Sequence, residues 1–328
     1  MTIPAMFDLS AEIEIELRLH SIRYEAHEII SLEWRSPNKK PLPSFTAGAH
    51  IELRLNDTLK RCYSLINPGD APDRYIVAVK RDPASRGGSR FVHEQLRVGA
   101  QIRATTPGNH FRLDEAAPHS ALFAGGIGIT PIWAMIQELD RLGRSWELHY
   151  GARTEGHAAF LEDALLLERN GRGKVRCYFD QSAPLALTEA VEQIPSDAHV
   201  YCCGPAPMLD SFLDACVSRD QATVHIERFA TASESALLSN GSCTVTLARS
   251  KRTIVVTPSQ TILDALLAAG IEAPHSCKEG VCGSCEVGVI EGVPDHRDSV
   301  LSLSEKISSQ SMMICCSRSK SDVLVLDL

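Results

Sequence analysis

The sequence predicts a multidomain protein: a small antiparallel β-barrel, then an α/β domain with a parallel sheet, then a C-terminal domain with clustered cysteines. Three observations predict this arrangement. Residues 12–20 alternate strictly between polar and apolar side chains, residues 121–216 alternate between apolar strands and amphipathic helices, and three cysteines lie close together at 277–285. The length of 328 residues suits two or three domains, since domains usually have roughly 100–200 residues.

The barrel is predicted over residues 1–115. Strict alternation at 12–20 is typical of a half-buried strand, and the pattern recurs at 51–55. Another strand is predicted at 75–80, and residues that favour turns (Pro, Gly and Asn) separate these segments. Short strands punctuated by turns indicate a small antiparallel barrel.

The α/β domain is predicted over residues 116–230. An apolar strand at 121–124 leads into a glycine-rich turn and a helix, for which Thr130 is the expected N-cap and Pro131 the first helical residue. Further strands are predicted at 146–150, 175–179 and 199–203, with amphipathic helices around 160–167 and 208–216. Strands that alternate with helices in this way indicate a parallel sheet.

A polar segment of small residues at 231–241 is predicted to link the α/β domain to the C-terminal domain, which covers 242–328. Two hairpin strands and a short helix are predicted at 243–248, 253–257 and 262–269. Thr261 and Asp264 resemble a capping box at the start of that helix.

Four cysteines form the most specific motif of the chain. Cys277, Cys282 and Cys285 are spaced C-x4-C-x2-C, and Cys315 follows after 29 intervening residues. This is the plant-type spacing, in which four thiolates hold a 2Fe–2S cluster. Zinc and inert buried thiols are the alternatives, but zinc sites favour paired C-x2-C elements and this motif contains one.

Cys316 competes with Cys315 for the place of the fourth ligand. Adjacent residues on a strand point to opposite sides, so only one of the two thiols is expected to face the cluster. The spacing and the local sequence favour Cys315. The remaining cysteines, Cys62 among them, are interpreted as small core residues.

Composition excludes several classes of function. The formal net charge is −8 and no run of Lys or Arg exceeds two, so no nucleic-acid partner is expected. The N-terminus lacks the pattern of a signal peptide. The longest apolar run, 121–136, is shorter than the roughly 20 residues that span a bilayer. The predictions are a cytoplasmic protein without a membrane partner.

A glycine-rich turn between the first strand and helix of the α/β domain suits a phosphate, because glycines admit it and a helix N-terminus offers free N–H groups. A plain tight turn is an equal alternative for this motif alone. A second loop follows the strand at 199–203, and loops at the carboxyl ends of parallel strands meet at one edge, where ligands bind.

Arg153 is expected to contact an adenosine portion or to be a surface arginine. No basic cluster for a 2′-phosphate stands nearby, so NADH is favoured over NADPH. The residues predicted to bind the nucleotide are Gly125, Gly126, Gly128, Arg153, Cys203, Gly204 and Pro205.

Two motifs of the barrel suit a flavin. Arg61 can hold a phosphate, Tyr63 can pack on a ring and Ser64 can hydrogen-bond a ring nitrogen. The segment 86–89, with Gly87, Gly88 and Ser89, opens a predicted helix and forms a second phosphate nest. An arginine on a barrel strand is usually solvated, so each motif is modest alone and specific only in combination.

Together these motifs resemble the phthalate dioxygenase reductase family, the reductase components of Rieske-type oxygenases, from about residue 12 to 328. The resemblance also includes 75–81, 201–205, 295–298 and Ser317-Arg318. It implies a ferredoxin-reductase-like barrel that binds FMN, an NAD-binding α/β domain and a β-grasp 2Fe–2S ferredoxin domain.

The resemblance also implies roles for single residues. Ser64 and Cys203 would be the catalytic residues, with Cys203 near the nicotinamide, and Phe229 would lie against the isoalloxazine ring. The FMN contacts would be Arg61, Tyr63, Ser64, Val79, Lys80, Gly87, Gly88, Ser89, Thr130 and Phe229. Two positions depart from the family pattern: His275, where exposure is favoured over a role at the cluster, and Cys316.

The predicted function is that of an NADH-dependent reductase that passes a hydride to FMN and then single electrons through the cluster to a separate Rieske-type oxygenase. The oxygenase is expected to dock where 277–285 approach solvent, and the protein is expected to be a monomer. No general acid or base is predicted, and His225 and Glu227 are interpreted as structural. The alternatives are an FAD-containing reductase for a diiron oxygenase or hybrid-cluster protein, which the 86–89 loop disfavours, and a non-enzymatic electron carrier, which leaves 1–230 unexplained.

Overall fold

The computed structural model describes most of the chain, in three main sheets that follow one another along the sequence and a fourth sheet of two strands. The residues described are 14–56, 59–70, 72–83, 85, 87–169, 171, 173–180, 185–229, 241–278, 280–301 and 303–328. The predicted linker therefore lies, apart from Gly241, outside the described residues, and so does Arg86.

The first sheet is an antiparallel barrel of six strands. They are β1 (Glu14–Ala26), β2 (Ile29–Arg35), β3 (His50–Arg54), β4 (Lys60–Ser64), β5 (Tyr75–Lys80) and β6 (Gln101–Thr105), in the order β4-β3-β6-β1-β2-β5. A bridge between Leu65 and Val77 brings the two ends of the sheet together. Alternate residues such as Leu17, Leu19 and Trp34 fill the interior, as the period-two pattern predicts. Helix α1 (Gly88–Glu94) follows β5.

The second sheet is parallel throughout and has helices on its connections. Its strands are β7 (Ser120–Gly125), β8 (Trp146–Ala152), β9 (Gly173–Phe179), β10 (His199–Cys203) and β11 (Val224–Glu227), in the order β11-β10-β7-β8-β9. Its helices are α2 (Ile129–Leu142), α3 (Leu161–Arg169), α4 (Leu187–Glu192) and α5 (Ala206–Ala215). The predicted parallel sheet is confirmed, and it brings the carboxyl ends of β7, β8 and β10 to one edge.

The start of α2 differs from the prediction. A 3-10 turn at Gly126–Gly128 runs directly into the helix, which begins at Ile129 with Gly128 as its N-cap. Thr130 is therefore inside the first turn, where its hydroxyl donates to the carbonyl of Ile127 at 3.0 Å. The predicted N-cap at Thr130 was wrong, because the 3-10 turn winds the chain into the helix before it.

The third sheet belongs to the cysteine-rich domain. The strands of this domain are β12 (Cys243–Leu247), β13 (Thr253–Val256), β14 (Glu286–Glu291), β15 (Pro294–Asp295), β16 (Ser311–Met313), β17 (Arg318–Ser319) and β18 (Val323–Leu326). Its helices are α6 (Ile262–Ala268) and α7 (Leu303–Ser308). The main sheet has the order β13-β12-β18-β14-β16, and β15 pairs with β17. Thr261 and Asp264 form the predicted capping box of α6. All eleven cysteines are free thiols. No helix in the described ranges has both the length and the apolar character to cross a bilayer.

Candidate functional site

A cavity of about 520 Å³ lies where the three domains meet. The barrel contributes most of its wall, the α/β domain contributes the opposite wall, and Val281 of the cysteine-rich domain completes it. The flavin residues predicted from sequence line this cavity except Gly87 and Gly88. Those that line it are Arg61, Tyr63, Ser64, Val79, Lys80, Ser89, Thr130 and Phe229. Residues far apart in the chain therefore converge on one space.

The residues of β4 give this cavity a polar wall, to which Arg61 adds a positive charge. Ser64 is buried, and burial raises the pKa of the Tyr63 phenol, which stays protonated. Gly88 packs directly against Arg61, since a Cβ on Gly88 would lie 2.6 Å from the Arg61 Nε atom. The glycine at 88 thus lets the first turn of α1 approach the arginine that is predicted to hold a phosphate.

Glu227, which the sequence analysis interpreted as structural, lines this cavity. It ends β11, and it pairs in register with Cys203, which ends β10. One carboxylate oxygen, Oε2, is buried without a hydrogen-bond partner, and burial raises the pKa of Glu227 to about 8. An acidic residue at the carboxyl end of a parallel strand, beside a predicted cofactor residue, was the signal that could have found it.

Cys203 itself lies behind the cavity wall. Its side chain is fully buried, and burial, with the Glu227 carboxylate nearby, raises the pKa of its thiol well above the usual range. A Cβ on Gly128 would lie 2.2 Å from the Cys203 carbonyl oxygen, so the glycine-rich turn packs on the end of β10. The predicted meeting of the two loops is confirmed, while the Cys203 side chain does not line the cavity.

A second cavity, also of about 520 Å³, opens at the carboxyl edge of the parallel sheet. Four of its lining residues, Gly125, Gly126, Arg153 and Pro205, were predicted to bind a nucleotide. Gly128 and Gly204 support the loops from behind. Lys80, predicted as a flavin contact, also lines this cavity, together with His27 and His157, which the sequence did not indicate. Lys80 and Ile127 line both cavities, so ligands in the two would lie next to each other.

The four predicted ligand cysteines form two pairs. The thiols of Cys277 and Cys282 lie next to each other, and so do those of Cys285 and Cys315. Within the described ranges, no three His, Cys, Asp or Glu side chains are grouped as ligands of one metal ion. Two pairs of thiols match a two-iron cluster, in which four cysteines are shared between two irons.

Backbone N–H groups distinguish Cys315 from Cys316. Each thiol of the two pairs lies near a backbone N–H group, and for Cys315 that group belongs to Gly280. Donation to sulfur is what stabilises the negative charge of a cluster. Cys316 also touches Cys315, but its thiol donates to the Met313 carbonyl at 3.8 Å. The geometry thus favours Cys315 as the fourth ligand.

Buried polar groups hold the loop around these cysteines. The buried carboxylate of Asp298 accepts hydrogen bonds from the backbone N–H groups of Val300 and Leu301. The buried Arg318 donates to the carbonyls of Thr257, Gln260 and Gly241. His275 is partly buried, with its Nδ1 atom 2.9 Å from the Ala273 carbonyl, which differs from the exposure expected.

One end of the cysteine loop packs against the barrel. A Cβ on Gly283 would lie 2.6 Å from the His110 Nε2 atom, and the thiol of Cys62 lies close to Cys282. Cys282 and Cys285 are buried, whereas Lys278 is exposed. Among the described residues of the loop, Lys278 is exposed, while Cys277, Val281, Gly283 and Ser284 are half-buried.

Comparisons with known proteins agree with this arrangement. Residues 122–214 match an oxidoreductase NAD-binding domain family, and residues 245–320 match a 2Fe-2S iron-sulfur cluster binding domain family. Phenoxybenzoate dioxygenase subunit beta of Ectopseudomonas oleovorans is 49% identical over 96% of this chain and 97% of that protein. Tetrachlorobenzoquinone reductase of Sphingobium chlorophenolicum is 44% identical over 96% of this chain and 98% of its own length.

A solved structure with the same three parts is that of phthalate dioxygenase reductase. It is described as a modular structure for electron transfer from pyridine nucleotides to [2Fe-2S]. It is 36% identical to this chain, with a TM-score of 0.70, and the match covers 96% of this chain and 98% of that protein. The likeness therefore extends over all three sheets.

Proposed function

Because the chain belongs to the phthalate dioxygenase reductase family, we propose that it is the NADH-dependent reductase component of a Rieske-type oxygenase system, with FMN as its flavin. The observation that carries the proposal is the contiguity of the three sites. Lys80 and Ile127 line both cavities, and Val281, one residue before Cys282, lines the flavin cavity. A nucleotide, a flavin and a cluster would thus lie in sequence.

The cofactors would supply the redox chemistry: the nicotinamide gives a hydride, the flavin takes two electrons and releases them singly, and the cluster carries one at a time. We propose that Gly125, Gly126, Arg153 and Pro205 hold the nucleotide. The residues proposed for FMN are Arg61, Tyr63, Ser64, Val79, Lys80, Gly87, Gly88, Ser89, Thr130 and Phe229, and those for the cluster are Cys277, Cys282, Cys285 and Cys315. The proposed domain limits are 1–115, 116–230 and 242–328, each of which contains one main sheet.

The chain's own side chains would prepare the site between nicotinamide and flavin. Ser64 offers a hydroxyl to the flavin ring from the buried end of β4. Glu227 brings a protonated carboxyl to the flavin cavity at the end of β11, since burial raises its pKa. Cys203 lies behind it at the end of β10, and burial raises the pKa of its thiol as well. Phe229, which follows β11, would cover the flavin ring.

The acceptor is proposed to be a separate oxygenase with a Rieske centre, served by a monomeric reductase. A relative named as a subunit of phenoxybenzoate dioxygenase supports an oxygenase as the electron acceptor. The low reduction potential of plant-type clusters, near roughly −400 mV, suits electron transfer to a Rieske centre, which has a higher potential. The partner would approach the solvent-facing part of the cysteine loop around Lys278.

The experiment is an anaerobic titration of the purified protein with NADH, followed by absorbance. We expect NADH to bleach the flavin and then the cluster, NADPH to do so less efficiently, and acid treatment to release FMN. Release of FAD would overturn the flavin assignment, and a flavin that NADH leaves oxidised would overturn the reductase proposal. In the matched variant Cys285→Ser, NADH should still bleach the flavin, but electrons should no longer reach an added oxygenase.

A second candidate function is direct reduction of a quinone, favoured by the 44% identity to a tetrachlorobenzoquinone reductase. The Cys285→Ser variant separates the two. A quinone that takes electrons from the flavin would be reduced equally well by the variant and the wild type. Loss of the reaction in the variant would assign the quinone, like an oxygenase, to the cluster.

A further inference from the structure

The four proposed cluster ligands come from two separate parts of the chain, and a β ladder aligns one end of this set. Three ligands lie in the cysteine loop, residues 277–285, and Cys315 follows after 29 intervening residues. Strand β14 pairs with β16, and the backbone N–H of Ile314 donates to the Cys285 carbonyl at 3.3 Å. The ladder therefore holds Cys285 beside Cys315. It does not reach the other end of the loop, because β14 begins at Glu286.

That other end is held at Gly280 by residues 297–301, here called the clamp segment. The backbone N–H of Ser299 donates to the Gly280 carbonyl at 2.9 Å. A Cβ on Gly280 would lie 3.3 Å from the Asp298 Cα atom, so the two backbones are in close contact. Gly280 lies between the first two ligands in the chain. The clamp segment therefore sets the position of that half of the cysteine loop.

The clamp segment is also hydrogen-bonded to Ser317, which follows Cys315 by two residues. The backbone N–H of Arg297 donates to the Ser317 hydroxyl oxygen at 3.1 Å, and that hydroxyl donates to Oδ1 of Asp298 at 3.4 Å. Ser317 and Asp298 are both buried, where little water competes for these hydrogen bonds. One short segment thus connects the two parts of the chain that supply the ligands.

The Asp298 carboxylate gives the clamp segment its shape. Its second oxygen, Oδ2, accepts from the backbone N–H groups of Val300 at 3.1 Å and Leu301 at 2.9 Å. Lys306 of α7 donates to the Asp298 carbonyl at 2.6 Å, and its ammonium nitrogen lies 3.8 Å from Oδ2. Removal of the carboxylate would leave the two N–H groups and the Ser317 hydroxyl without this acceptor, which costs more than a loss of packing.

We infer that Asp298 is a positioning residue for the cluster, whose carboxylate joins the clamp segment to Ser317 and thereby keeps Cys315 and the cysteine loop at the spacing of one cluster. This inference rests on the proposed function, because it takes the four cysteines as cluster ligands. It also gives a physical reason for two motifs that the sequence marked only by resemblance, 295–298 and Ser317-Arg318, since Asp298 and Ser317 are in contact.

The test measures how fast the purified holoprotein loses the visible absorption of its cluster in excess EDTA. Asp298→Ala removes the acceptor, Asp298→Asn keeps one oxygen for the two backbone N–H groups, and Ser317→Ala removes the hydroxyl alone. Asp264→Ala is the matched control, since Asp264 is an exposed carboxylate of the same domain that caps α6. The melting temperature and the electron paramagnetic resonance spectrum of the dithionite-reduced cluster are measured for each protein. Neither NADH nor an oxygenase is needed, so the result is independent of the reductase reaction.

Cluster loss should be about tenfold faster in Asp298→Ala and about threefold faster in Ser317→Ala, as expected for the loss of hydrogen bonds to a charged group. The double variant should lose its cluster no faster than Asp298→Ala, because both changes remove the same contact. The g values of the reduced cluster should change in both single variants, since the ligands move. Asp298→Asn and Asp264→Ala should keep the wild-type rate and g values, although Asp264→Ala melts at a lower temperature.

Other outcomes are equally decisive. If cluster loss follows the melting temperature alike in Asp298→Ala and Asp264→Ala, Asp298 only stabilises the domain and the inference is wrong. It is also wrong if Asp298→Asn loses the cluster as fast as Asp298→Ala, because charge and not hydrogen bonding would then matter. If Asp298→Ala fails to fold, Ser317→Ala decides, and a wild-type rate and spectrum in that variant would overturn the inference. A wild-type protein without any cluster signal would overturn the proposed function instead.

Discussion

The glycine loop (residues 125–131) and the cysteine loop (residues 277–285) are both rich in glycine, but they are held in place differently. The glycine loop packs on its own domain: Gly128 abuts the Cys203 carbonyl, and Gly125 meets Gly204. The cysteine loop packs on another domain, through Gly283 against His110. The glycine loop is thus positioned within its own domain, whereas the cysteine loop is positioned across a domain boundary.

The two sets of glycines also serve different physical needs. Gly125 and Gly128 have negative φ angles of −118° and −60°, so any residue could adopt their backbone, and only the contact requires glycine. Gly280 and Gly283 have φ angles of 65° and 78°, in the left-handed region, and they also lie close to Cys316 and His110. Substitutions should therefore separate steric from conformational costs in the two loops.

The largest effect is expected from Cys315→Ser, which removes the proposed fourth ligand of the cluster. It should abolish the visible absorption of the cluster and leave the reduction of flavin by NADH intact, because the ligand pairs lie apart from the nucleotide cavity. Absorbance and stopped-flow measurements check both halves. Cys316→Ser is the control and should keep the cluster. The reverse pattern would shift the fourth ligand by one residue.

Gly128→Ala should be the next largest change, this time in the glycine loop. Its Cβ would lie 2.2 Å from the Cys203 carbonyl oxygen, so the loop or β10 must move, at about 3 kcal/mol in the free energy of unfolding. Gly126→Ala meets open space and bears only the cost of a φ angle of 54°, about 1 kcal/mol. Urea unfolding of both variants gives the comparison. Equal losses would mean that contact does not govern this loop.

Gly283→Ala should weaken the contact between the cysteine loop and the barrel. Its Cβ would lie 2.6 Å from the His110 Nε2 atom at a φ angle of 78°, so the loop should draw back from the flavin cavity. We expect roughly tenfold slower electron transfer from flavin to cluster in stopped-flow traces, while NADH reduces the flavin at the wild-type rate. Adding His110→Ala should restore part of the rate. If the double variant recovers none of the rate, the slower electron transfer is due to the backbone conformation at position 283 and not to the contact with His110.

The two loops also show which features of the fold and the site could be predicted from the sequence. The glycine loop, the parallel sheet and the ligand spacing were predictable, because each depends on residues close in sequence and on a single periodicity. The contacts of the cysteine loop were not, because they join Cys62 and His110 of the barrel region to Cys282 and Gly283. Nothing local in the chain marks such a pairing. The start of α2 was missed for a local reason, since a 3-10 turn precedes the helix and the capping pattern assumes none.

The smallest effect is expected from a substitution of Glu227. Burial raises its pKa in the folded protein to about 8 from the usual 4.5, so the folded state holds a proton that the unfolded state has released between these two pH values. The stability that Glu227 contributes should therefore fall as pH rises from 5 to 8 and change little above 8. Glu227→Gln cannot titrate and should escape this loss. The melting temperature of the variant relative to wild type should rise across that range. A difference that stays constant from pH 5 to 8 would mean that the Glu227 carboxyl is solvated in solution, and the protonated carboxyl proposed for the flavin cavity would then be wrong.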